Sequence, residues 1–444
     1  MRLVQICLIV LLSCAPLGSA WGEQLDRERS STIDLLIDRA ISRNLISGAV
    51  VVVGSHTGIL YSTAKGETGR PGSPKLSDHT MFDLASLTKV IATTPAIMKL
   101  LDEGKLSLVD PLPRWFPEFA GTPLENATVL NLLTHTSGLN DFDISSDNAM
   151  SSAIHKAASE KVRCRPGTSF NYADINFILL GELVHRASGK TLDAFCRDEI
   201  YGPIGAGATM FLPPKELADT IAPTLGFSGG VVQDANARRL GGVAGHAGLF
   251  STAYDLSRFA RLILGNGIID GTRILSERVV TQMTAPYFYS NGRVIRGLGW
   301  DMESPFSAPK GSLFSDVSFG HTGYSGTSIW IDPKQDIFVI VLTNRLNYRD
   351  THTFNQLRRD ISTIAAADFT VADDLIRLIA PVEVARISAE LLRPALAPAT
   401  LKTPIRKTKV KLLAYASETR SHHPSVKKRG KGHRHKSYGK IRRA

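Results

Sequence analysis

Apolar residues recur at two different spacings along the chain, and the change between them predicts where helices and strands lie. Near the start they follow the i, i+3, i+4, i+7 spacing of a helix with one buried face, at Ile33, Leu36, Ile37, Ala40 and Ile41. Residues 47–54 and 58–64 instead have the composition of two strands joined by a tight turn. An N-terminal helix is therefore predicted to lead into a β-sheet.

Strand-like segments return only near the other end of the chain. β-branched runs occupy residues 317–320, 327–331 and 337–343, and a helix is predicted to follow from about 353 to 366. Residues 140–290 are mostly helical in pattern, with Gly-rich interruptions. This order predicts an α/β fold of the α+β sandwich type, in which one antiparallel sheet is built from both chain ends. Helices flank this sheet, and a mostly helical subdomain is inserted.

The first 20 residues have the pattern of a signal peptide. Arg2 precedes an apolar run at residues 3–12, and the small residues 18–20 follow. The run is too short to span a bilayer. We expect the protein to be exported, to the periplasm or the extracellular space. The alternative is a lipoprotein signal with the lipid on Cys14.

Charge is distributed unevenly along the chain. The whole sequence carries +11, whereas residues 402–444 alone contain fifteen Lys and Arg and one acidic residue, a charge of +14. The preceding 401 residues therefore carry −3. The composition predicts a folded domain at 30–365, a helical or linker extension at 366–401 and a disordered basic tail at 402–444. The tail either binds an anionic polymer of the cell envelope or is solvated without a function.

Cleavage after residue 20 would leave two of the four cysteines, Cys164 and Cys196. Two cysteines in an oxidising compartment can pair, but their spacing does not show whether they meet. A disulfide and two free thiols both stay open. No zinc-type cluster of cysteine and histidine is present in the sequence.

One serine carries the strongest chemical signal. Ser86 opens a long apolar segment that predicts a buried helix, and Lys89 follows three residues later on the same helical face. The N–H of a serine in the first turn of a helix can stabilise an oxyanion. Lys89 would accept the serine proton if burial keeps part of it neutral. A helix cap followed by a solvated lysine is the ordinary alternative.

Two further segments offer groups that could act on the same substrate. Tyr172 lies in a loop opened by Pro166-Gly167, and its phenol could relay protons between a serine and a lysine. The segment 319–326 lies between two predicted strands and contains three glycines. A backbone N–H beside Gly323, that of Tyr324, would be a second oxyanion donor. The ordinary alternatives are that Tyr172 is a half-buried aromatic residue without a catalytic role and that the segment 319–326 is a hairpin turn.

Together these segments resemble the serine β-lactamase and penicillin-binding-protein superfamily, most nearly the class C β-lactamase-like serine hydrolases and esterases. The resemblance spans about residues 30–365. Its three motifs are Ser86-x-x-Lys89, Tyr172-x-Asp174 and His321-Thr322-Gly323. Two further stretches, 132–139 and 242–252, resemble family sequence without contributing catalytic groups.

The resemblance implies a role for each motif residue. Ser86 would form an acyl-enzyme, while Lys89 and Tyr172 would handle its proton. His321 and Thr322 would orient the substrate. The resemblance implies no metal, cofactor or nucleic acid.

The chain departs from the family pattern at two positions. Asp174 stands where the family usually has Asn, and an ionised carboxylate there would favour the ammonium form of Lys89 and leave proton acceptance to Tyr172. His321 replaces the usual lysine, and we expect its imidazole to be partly charged near neutral pH and to meet a substrate carboxylate.

The sequence thus predicts an exported serine hydrolase. A D-Ala amide related to peptidoglycan, or a β-lactam, is the expected substrate. A small-ester hydrolase is the alternative within the same chemistry. A binding protein for the wall or for a polyanion, without catalysis, is the alternative of another class. The sequence leaves the oligomeric state open.

Overall fold

The computed structural model describes residues 32–69, 72–162, 164–370 and 374–393. The β-strands in this part of the chain are β1 (Ile46–Gly54), β2 (Ile59–Gly66), β3 (Met81–Asp83), β4 (Met210–Phe211), β5 (Ile221–Ala222), β6 (Leu249–Ser251), β7 (Ile268–Ile269), β8 (Thr272–Arg273), β9 (Phe288–Ser290), β10 (Arg293–Arg296), β11 (Phe319–Thr322), β12 (Ser328–Asp332) and β13 (Ile337–Arg345).

The α-helices are α1 (32–42), α2 (Thr94–Asp102), α3 (Leu112–Trp115), α4 (Val129–Leu133), α5 (Ala149–Ala158), α6 (Asp174–Ser188), α7 (Leu192–Cys196), α8 (Ala235–Arg239), α9 (Ala253–Leu264), α10 (Glu277–Thr284), α11 (Thr351–Phe369) and α12 (Asp374–Leu392). Shorter 3₁₀ turns lie at Ala85–Leu87, Pro117–Phe119 and Lys215–Thr220. Single turns of π-helix lie at Lys89–Thr93 and Arg197–Tyr201.

The main sheet is built from both ends of the chain, as the sequence predicts. Its five strands lie in the order β11-β12-β13-β1-β2, and every neighbouring pair is antiparallel. In β1, Val51 lies opposite Val341 of β13 on one side and Thr63 of β2 on the other. The regular elements between β2 and β11 are mostly helices, which agrees with the predicted insertion.

Helices cover both faces of this sheet because its central strands are apolar on both sides. Val50 and Val52 of β1 belong to the same buried cluster as helices α2, α6 and α9. The alternate positions Val51 and Val53 pack with α1 and α11 on the opposite face. Since successive side chains of a strand point to opposite faces, one run of valines joins the two layers.

A second, smaller sheet holds the segment that leads to Ser86. Its strands lie in the order β4-β6-β3-β5, with β3 paired to β6 through Phe82 and Ser251. Strand β3 ends at Asp83, and the 3₁₀ turn that contains Ser86 begins two residues later. This short strand therefore fixes where the serine lies.

The predicted extension at 366–401 contains helix α12. It packs against α11 through the ion pair of Arg386 with Asp360, 3.1 Å apart. The predicted signal peptide, Cys14 and the basic tail at 402–444 lie outside the described residues. No helix in the described part of the chain is both long and apolar enough to cross a membrane.

The two remaining cysteines are not paired with each other. Cys164 is exposed and Cys196 is buried, and both are free thiols. The Cys196 thiol donates to the Ala92 carbonyl oxygen at 3.5 Å, so it packs as a buried side chain of α7. Of the two alternatives, the structure has the free thiols.

Candidate active site

The structure places Ser86 against Lys89 at the start of a buried helical segment. The Lys89 ammonium donates a hydrogen bond to the Ser86 hydroxyl oxygen at 3.0 Å. Ala85, just before the serine, has the positive φ of 46°, which costs energy for a residue other than glycine. Its N–H donates to the Asp83 carboxylate at 2.9 Å, which supports this conformation.

The predicted helix after Ser86 is not a regular α-helix. It runs as a 3₁₀ turn, one turn of π-helix from Lys89 to Thr93 and then α2. Such π turns are rare and are frequent at functional sites, because they change the direction of the side chains around them. Lys89 opens this turn, and its side chain is completely buried.

Lys89 is held as an ammonium ion. Its Nζ lies 2.7 Å from a carboxylate oxygen of Asp174 and also donates to the His246 carbonyl oxygen at 3.3 Å. Burial acts to lower the pKa of Lys89, but Asp174 and Tyr172 outweigh it and raise the pKa above its usual value. The expectation that burial keeps Lys89 partly neutral is therefore wrong. The predicted effect of Asp174 on the lysine is confirmed.

Tyr172 is the remaining candidate for accepting the serine proton. Its half-buried ring lies close to both cations of the site, 5.1 Å from Lys89 Nζ and 5.7 Å from the Arg296 guanidinium carbon. Tyr172 and Asp174 lie at the start of α6, so one loop brings both to Lys89.

His135 fixes the loop that carries Tyr172, a role that sequence analysis did not assign. The two rings stack with centroids 4.4 Å apart. His135 Nδ1 accepts the Ala173 N–H at 3.2 Å, and burial, followed by the nearby Arg296 charge, lowers the pKa of His135 well below its usual range. The imidazole is therefore neutral. Its only signal in the sequence is the family-like stretch 132–139.

The turn between β11 and β12 is fastened to the segment before Ser86. The Ser325 hydroxyl donates to the Asp83 carbonyl oxygen at 2.6 Å, and the Thr327 hydroxyl donates to that of Leu84 at 3.1 Å. A Cβ atom on Gly323 would lie 2.4 Å from the Leu84 carbonyl oxygen. The turn that carries Tyr324 thus lies against the nucleophile segment. That the Tyr324 N–H is an oxyanion donor stays a prediction.

His321 is buried and neutral, so the expectation of a partly charged imidazole is wrong. Its Nδ1–H donates to the Thr322 carbonyl oxygen at 2.9 Å, and its Nε2 accepts from Arg296 at 3.4 Å. Burial, then the charges of Arg296 and Lys89, lower the pKa of His321 well below its usual range. The positive charge in this part of the site belongs to Arg296, a completely buried residue at the end of β10.

Asp234 and His246 extend the site behind Lys89. His246 Nε2 lies 2.8 Å from an Asp234 carboxylate oxygen. Burial acts to lower the pKa of His246, but Asp234 outweighs it and raises that pKa. Ligand-type atoms of Asp174, Asp234 and His246 lie within 4.8 Å of one another, a set that a metal ion could share. Lys89, 2.7 Å from Asp174, and His246, 2.8 Å from Asp234, already pair with the two carboxylates.

Comparison with known proteins agrees with this geometry. Residues 33–363 match the family model described as Beta-lactamase. The chain belongs to the beta-lactamase family. It is a serine hydrolase of that family.

Two relatives extend the comparison. This beta-lactamase-family chain is 29% identical to a protein of Escherichia coli (strain K12) that is provisionally named D-alanyl-D-alanine carboxypeptidase, over 61% of this chain and 70% of that protein. It is also 29% identical to the N-acetylmuramyl-L-alanine amidase of Bacillus subtilis (strain 168), over 72% of this chain and 82% of the amidase.

Solved structures show the same fold. A class C beta-lactamase aligns with a TM-score of 0.65 at 20% identity and covers 78% of this chain and 98% of its own. A penicillin-binding protein homologue from Caulobacter crescentus aligns with a TM-score of 0.64 at 20% identity. The alignment covers 77% of this chain and 98% of the homologue. At 20% identity, these alignments show that this beta-lactamase-family chain shares the fold of the two proteins.

Proposed function

We propose that this enzyme hydrolyses a D-Ala amide related to peptidoglycan, or a β-lactam, through an acyl-enzyme on Ser86. The observation that carries the proposal is the contact of the Ser86 hydroxyl with the buried Lys89 ammonium, 3.0 Å apart, beside Tyr172. A buried, paired cation at a serine in a strained turn is costly to keep without a chemical role.

The charges of the site define the roles in the reaction. Lys89 donates to the serine oxygen, so the serine hydrogen is available to the Tyr172 oxygen. Ser86 attacks the substrate carbonyl as its proton passes to the Tyr172 oxygen, and the phenol's own proton passes to the leaving nitrogen. The N–H groups of Ser86 and Tyr324 would hold the oxyanion. Water then repeats the sequence and releases the acyl group.

The substrate class rests on the relatives. One is named for cleaving D-alanyl-D-alanine, and the other is named an amidase of N-acetylmuramyl-L-alanine. Both names describe amides of peptidoglycan fragments. The muramyl amide is the second candidate, because the amidase covers more of this chain than the carboxypeptidase does.

The test offers four compounds to the full chain and to Ser86→Ala. They are a fluorescent penicillin, an acyl-D-Ala-D-Ala peptide, N-acetylmuramyl-L-alanine and a short nitrophenyl ester. We expect Ser86-dependent release of D-Ala and labelling by the penicillin. Cleavage of the muramyl amide alone would select the second candidate, and turnover of the ester alone would identify an esterase. No Ser86-dependent reaction at all would leave the binding-protein alternative.

We further propose that the enzyme works outside the cytoplasm, where such amides occur. The signal-like pattern at residues 1–20 supports export. Cell fractionation tests the export. It compares cells that make the full chain, the Cys14→Ala variant or a chain without residues 1–20. If the Cys14→Ala variant is still exported but no longer attached to the membrane, Cys14 carries a lipid anchor. Export without residues 1–20 would contradict the proposal.

A further inference from the structure

Three oxygen atoms surround the Lys89 ammonium and determine where it points. They are the Ser86 hydroxyl oxygen at 3.0 Å, an Asp174 carboxylate oxygen at 2.7 Å and the His246 carbonyl oxygen at 3.3 Å. An ammonium has three N–H donors, so its direction toward one acceptor depends on where the other two lie. Asp174 is fixed as the first residue of α6, whereas His246 lies in an irregular segment.

The segment that supplies the His246 carbonyl is rich in glycine. Residues 241–248 include four glycines, and two of them, Gly242 and Gly248, have φ angles of 90° and 111°. Because glycine leaves the backbone many conformations, such a segment needs further contacts to fix a carbonyl group. The Thr93 hydroxyl holds the Gly245 carbonyl oxygen at 2.6 Å. The next carbonyl is the one that Lys89 contacts, and its direction depends on how His246 is held.

Asp234 holds the ring of His246. The histidine is 1% exposed, and its Nε2–H donates to an Asp234 carboxylate oxygen at 2.8 Å, the ring's only hydrogen bond among the described residues. A buried imidazole has lost its contacts with water, so this one bond determines the place of the ring. Asp234 is itself fixed, because the same oxygen accepts the Ala237 N–H at 2.7 Å at the start of α8.

The residue before Asp234 supports the serine. The Gln233 N–H donates to one Asp83 carboxylate oxygen at 2.8 Å, and the other oxygen accepts the N–H of Ala85 at 2.9 Å. Ala85 directly precedes Ser86. Two consecutive residues, 233 and 234, are thus connected to the two members of the Ser86–Lys89 pair.

We propose that Asp234 is a positioning residue for the hydrolysis: through the His246 ring it fixes the carbonyl oxygen that directs the Lys89 ammonium at Ser86. The inference rests on the proposed function and adds a residue that acts through two others. Without Asp234 the His246 carbonyl is free to turn, and the ammonium then follows Asp174 instead of Ser86. A displacement of about 1 Å in a catalytic group can cost about a hundred-fold in rate.

The experiment measures the reactivity of Ser86 without a substrate. A fluorophosphonate probe is added to the full chain, the serine oxygen displaces fluoride from phosphorus, and mass spectrometry locates the label. Ser86→Ala gives the background. We expect Asp234→Ser to be labelled about ten- to a hundred-fold more slowly than the unaltered chain. With the nitrophenyl ester it should lower kcat and leave KM unchanged.

The serine variant is chosen to preserve the fold. Serine is a good helix cap, so it can still accept the Ala237 N–H, but its side chain is one bond shorter and does not reach His246. The labelling rate constant is also independent of the folded fraction, which changes only the final extent of labelling. Asp350→Ser is the matched control, because Asp350 caps α11 by accepting the Thr353 N–H at 3.1 Å. It should be labelled at the unaltered rate.

Asp234→Asn separates the hydrogen bond from the charge. An asparagine oxygen can accept the same two N–H groups without a negative charge, so this variant should recover most of the labelling rate. Equal slowing in Asp234→Asn and Asp234→Ser would overturn the inference, since the charge alone would then matter.

Unaltered labelling of Asp234→Ser would also overturn the inference, as would an unaltered chain whose Ser86 is not labelled. Failure of the proposed function gives a different result. Labelling of Ser86 would then depend on Asp234, but neither the peptide, the muramyl amide nor the penicillin would react.

Discussion

At the scale of single residues, the ionisation state of the site follows from which buried groups meet. Lys89 contacts a carboxylate and stays charged, whereas His135 and His321 lie near cations and stay neutral. Under this arrangement the lysine is an electrostatic partner of the serine. Tyr172, whose ring lies beside both Lys89 and Arg296, stays the predicted proton acceptor.

We predict that Tyr172→Phe reduces acylation of Ser86 by about a hundred- to ten-thousand-fold, because a general acid–base group is lost while the ring and its stacking on His135 remain. Burst kinetics with a fluorescent penicillin measure the acylation rate, and thermal unfolding shows whether the fold is kept. Tyr289→Phe, on the largely exposed Tyr289, should have the rate of the unaltered enzyme. Near-normal acylation of Tyr172→Phe would remove the phenol from the mechanism.

We predict that Asp174→Asn adds an ionisation to the pH profile of kcat/KM. Without the carboxylate, Tyr172 alone opposes the effect of burial, and the pKa of Lys89 falls toward the measurable alkaline range. As Lys89 loses its proton, Tyr172 loses a neighbouring cation, so activity should decline with rising pH. The unaltered enzyme should lack this decline, as should Asp143→Asn on an exposed carboxylate. Profiles that superimpose would show that Asp174 does not control the lysine.

The residues that sequence analysis identified are those within short motifs. Ser86 and Lys89 are one helical turn apart, and Asp174 lies two residues from Tyr172, so local spacing was sufficient. Arg296 has no such signal, because it reaches the site from a distant strand, and the only signal of His246 is the family-like stretch 242–252. The charge of His321 could not be predicted either, since it depends on burial in the fold and on Arg296, 25 residues away.

At the scale of elements, the position of the β11–β12 turn determines whether the oxyanion site can form. Two hydroxyl groups attach the turn to the backbone at residues 83 and 84. Gly323 permits this approach, because a Cβ atom there would lie 2.1 Å from the Thr327 hydroxyl oxygen and 2.4 Å from the Leu84 carbonyl oxygen. Both distances are too short for real contacts.

We predict that Gly323→Ala lowers kcat by about a hundred- to a thousand-fold, the usual cost of a lost oxyanion donor. The added methyl group pushes the turn away from the nucleophile, and the central sheet is unaffected. Steady-state kinetics with the nitrophenyl ester measure the loss, and circular dichroism measures the fold.

Gly58→Ala is the matched control for that substitution, because no atom lies within 4 Å of a Cβ added at Gly58. It should retain the unaltered kcat. A Gly323→Ala enzyme with the same kcat as this control would show that the turn does not supply an oxyanion donor.

Most elements could be predicted from the sequence because their hydrophobic pattern is local. The strand predicted at 47–54 is observed at Ile46–Gly54, and the helix predicted at 353–366 at Thr351–Phe369. The irregular start of the Ser86 helix was not predicted. Its apolar positions fit a regular helix, and the π turn arises from tertiary contacts such as that of Thr93 with the Gly245 carbonyl oxygen, at 2.6 Å.

At the scale of the whole molecule, one buried carboxyl group links stability to pH. Asp83 is almost fully buried, and burial raises its pKa to about 6 although the N–H groups of Gln233 and Ala85 act to lower it. The folded protein thus binds this proton more tightly than the unfolded chain does. Stability from this group is present at low pH and is lost as the pH rises through about 4 to 6.

We predict that the free energy of unfolding falls by about 2 kcal/mol between about pH 4 and pH 7 because of Asp83. Asp83→Asn should lack this fall, although it is less stable overall because the amide cannot accept from both N–H groups. Urea unfolding at several pH values measures the difference. Asp78→Asn, at a half-exposed side chain, should keep the fall of the unaltered protein. An unchanged slope in Asp83→Asn would contradict the prediction.

The basic tail at 402–444 is expected to bind an anionic polymer of the cell envelope, since its charge of +14 is confined to a segment of low hydrophobicity. We predict that truncation after Thr400 leaves turnover of small substrates unchanged and abolishes salt-sensitive retention on isolated envelopes. A tail of equal length with Gln at its Lys and Arg positions should behave like the truncation. Retention without the positive charges would end this hypothesis.

The pairing of β1 with β13 also determines when the enzyme can become active. Strand β1 finds β2 soon after synthesis, but its other edge has no partner until residues 337–345 have been made. Contacts between such distant residues make folding slow, and an unpaired apolar edge favours aggregation in the meantime. The turn at 323–327 is also a late segment. An unfinished or clipped chain therefore contains the nucleophile without the sheet and the turn that make it reactive, and hydrolysis begins only after nearly the whole domain has folded.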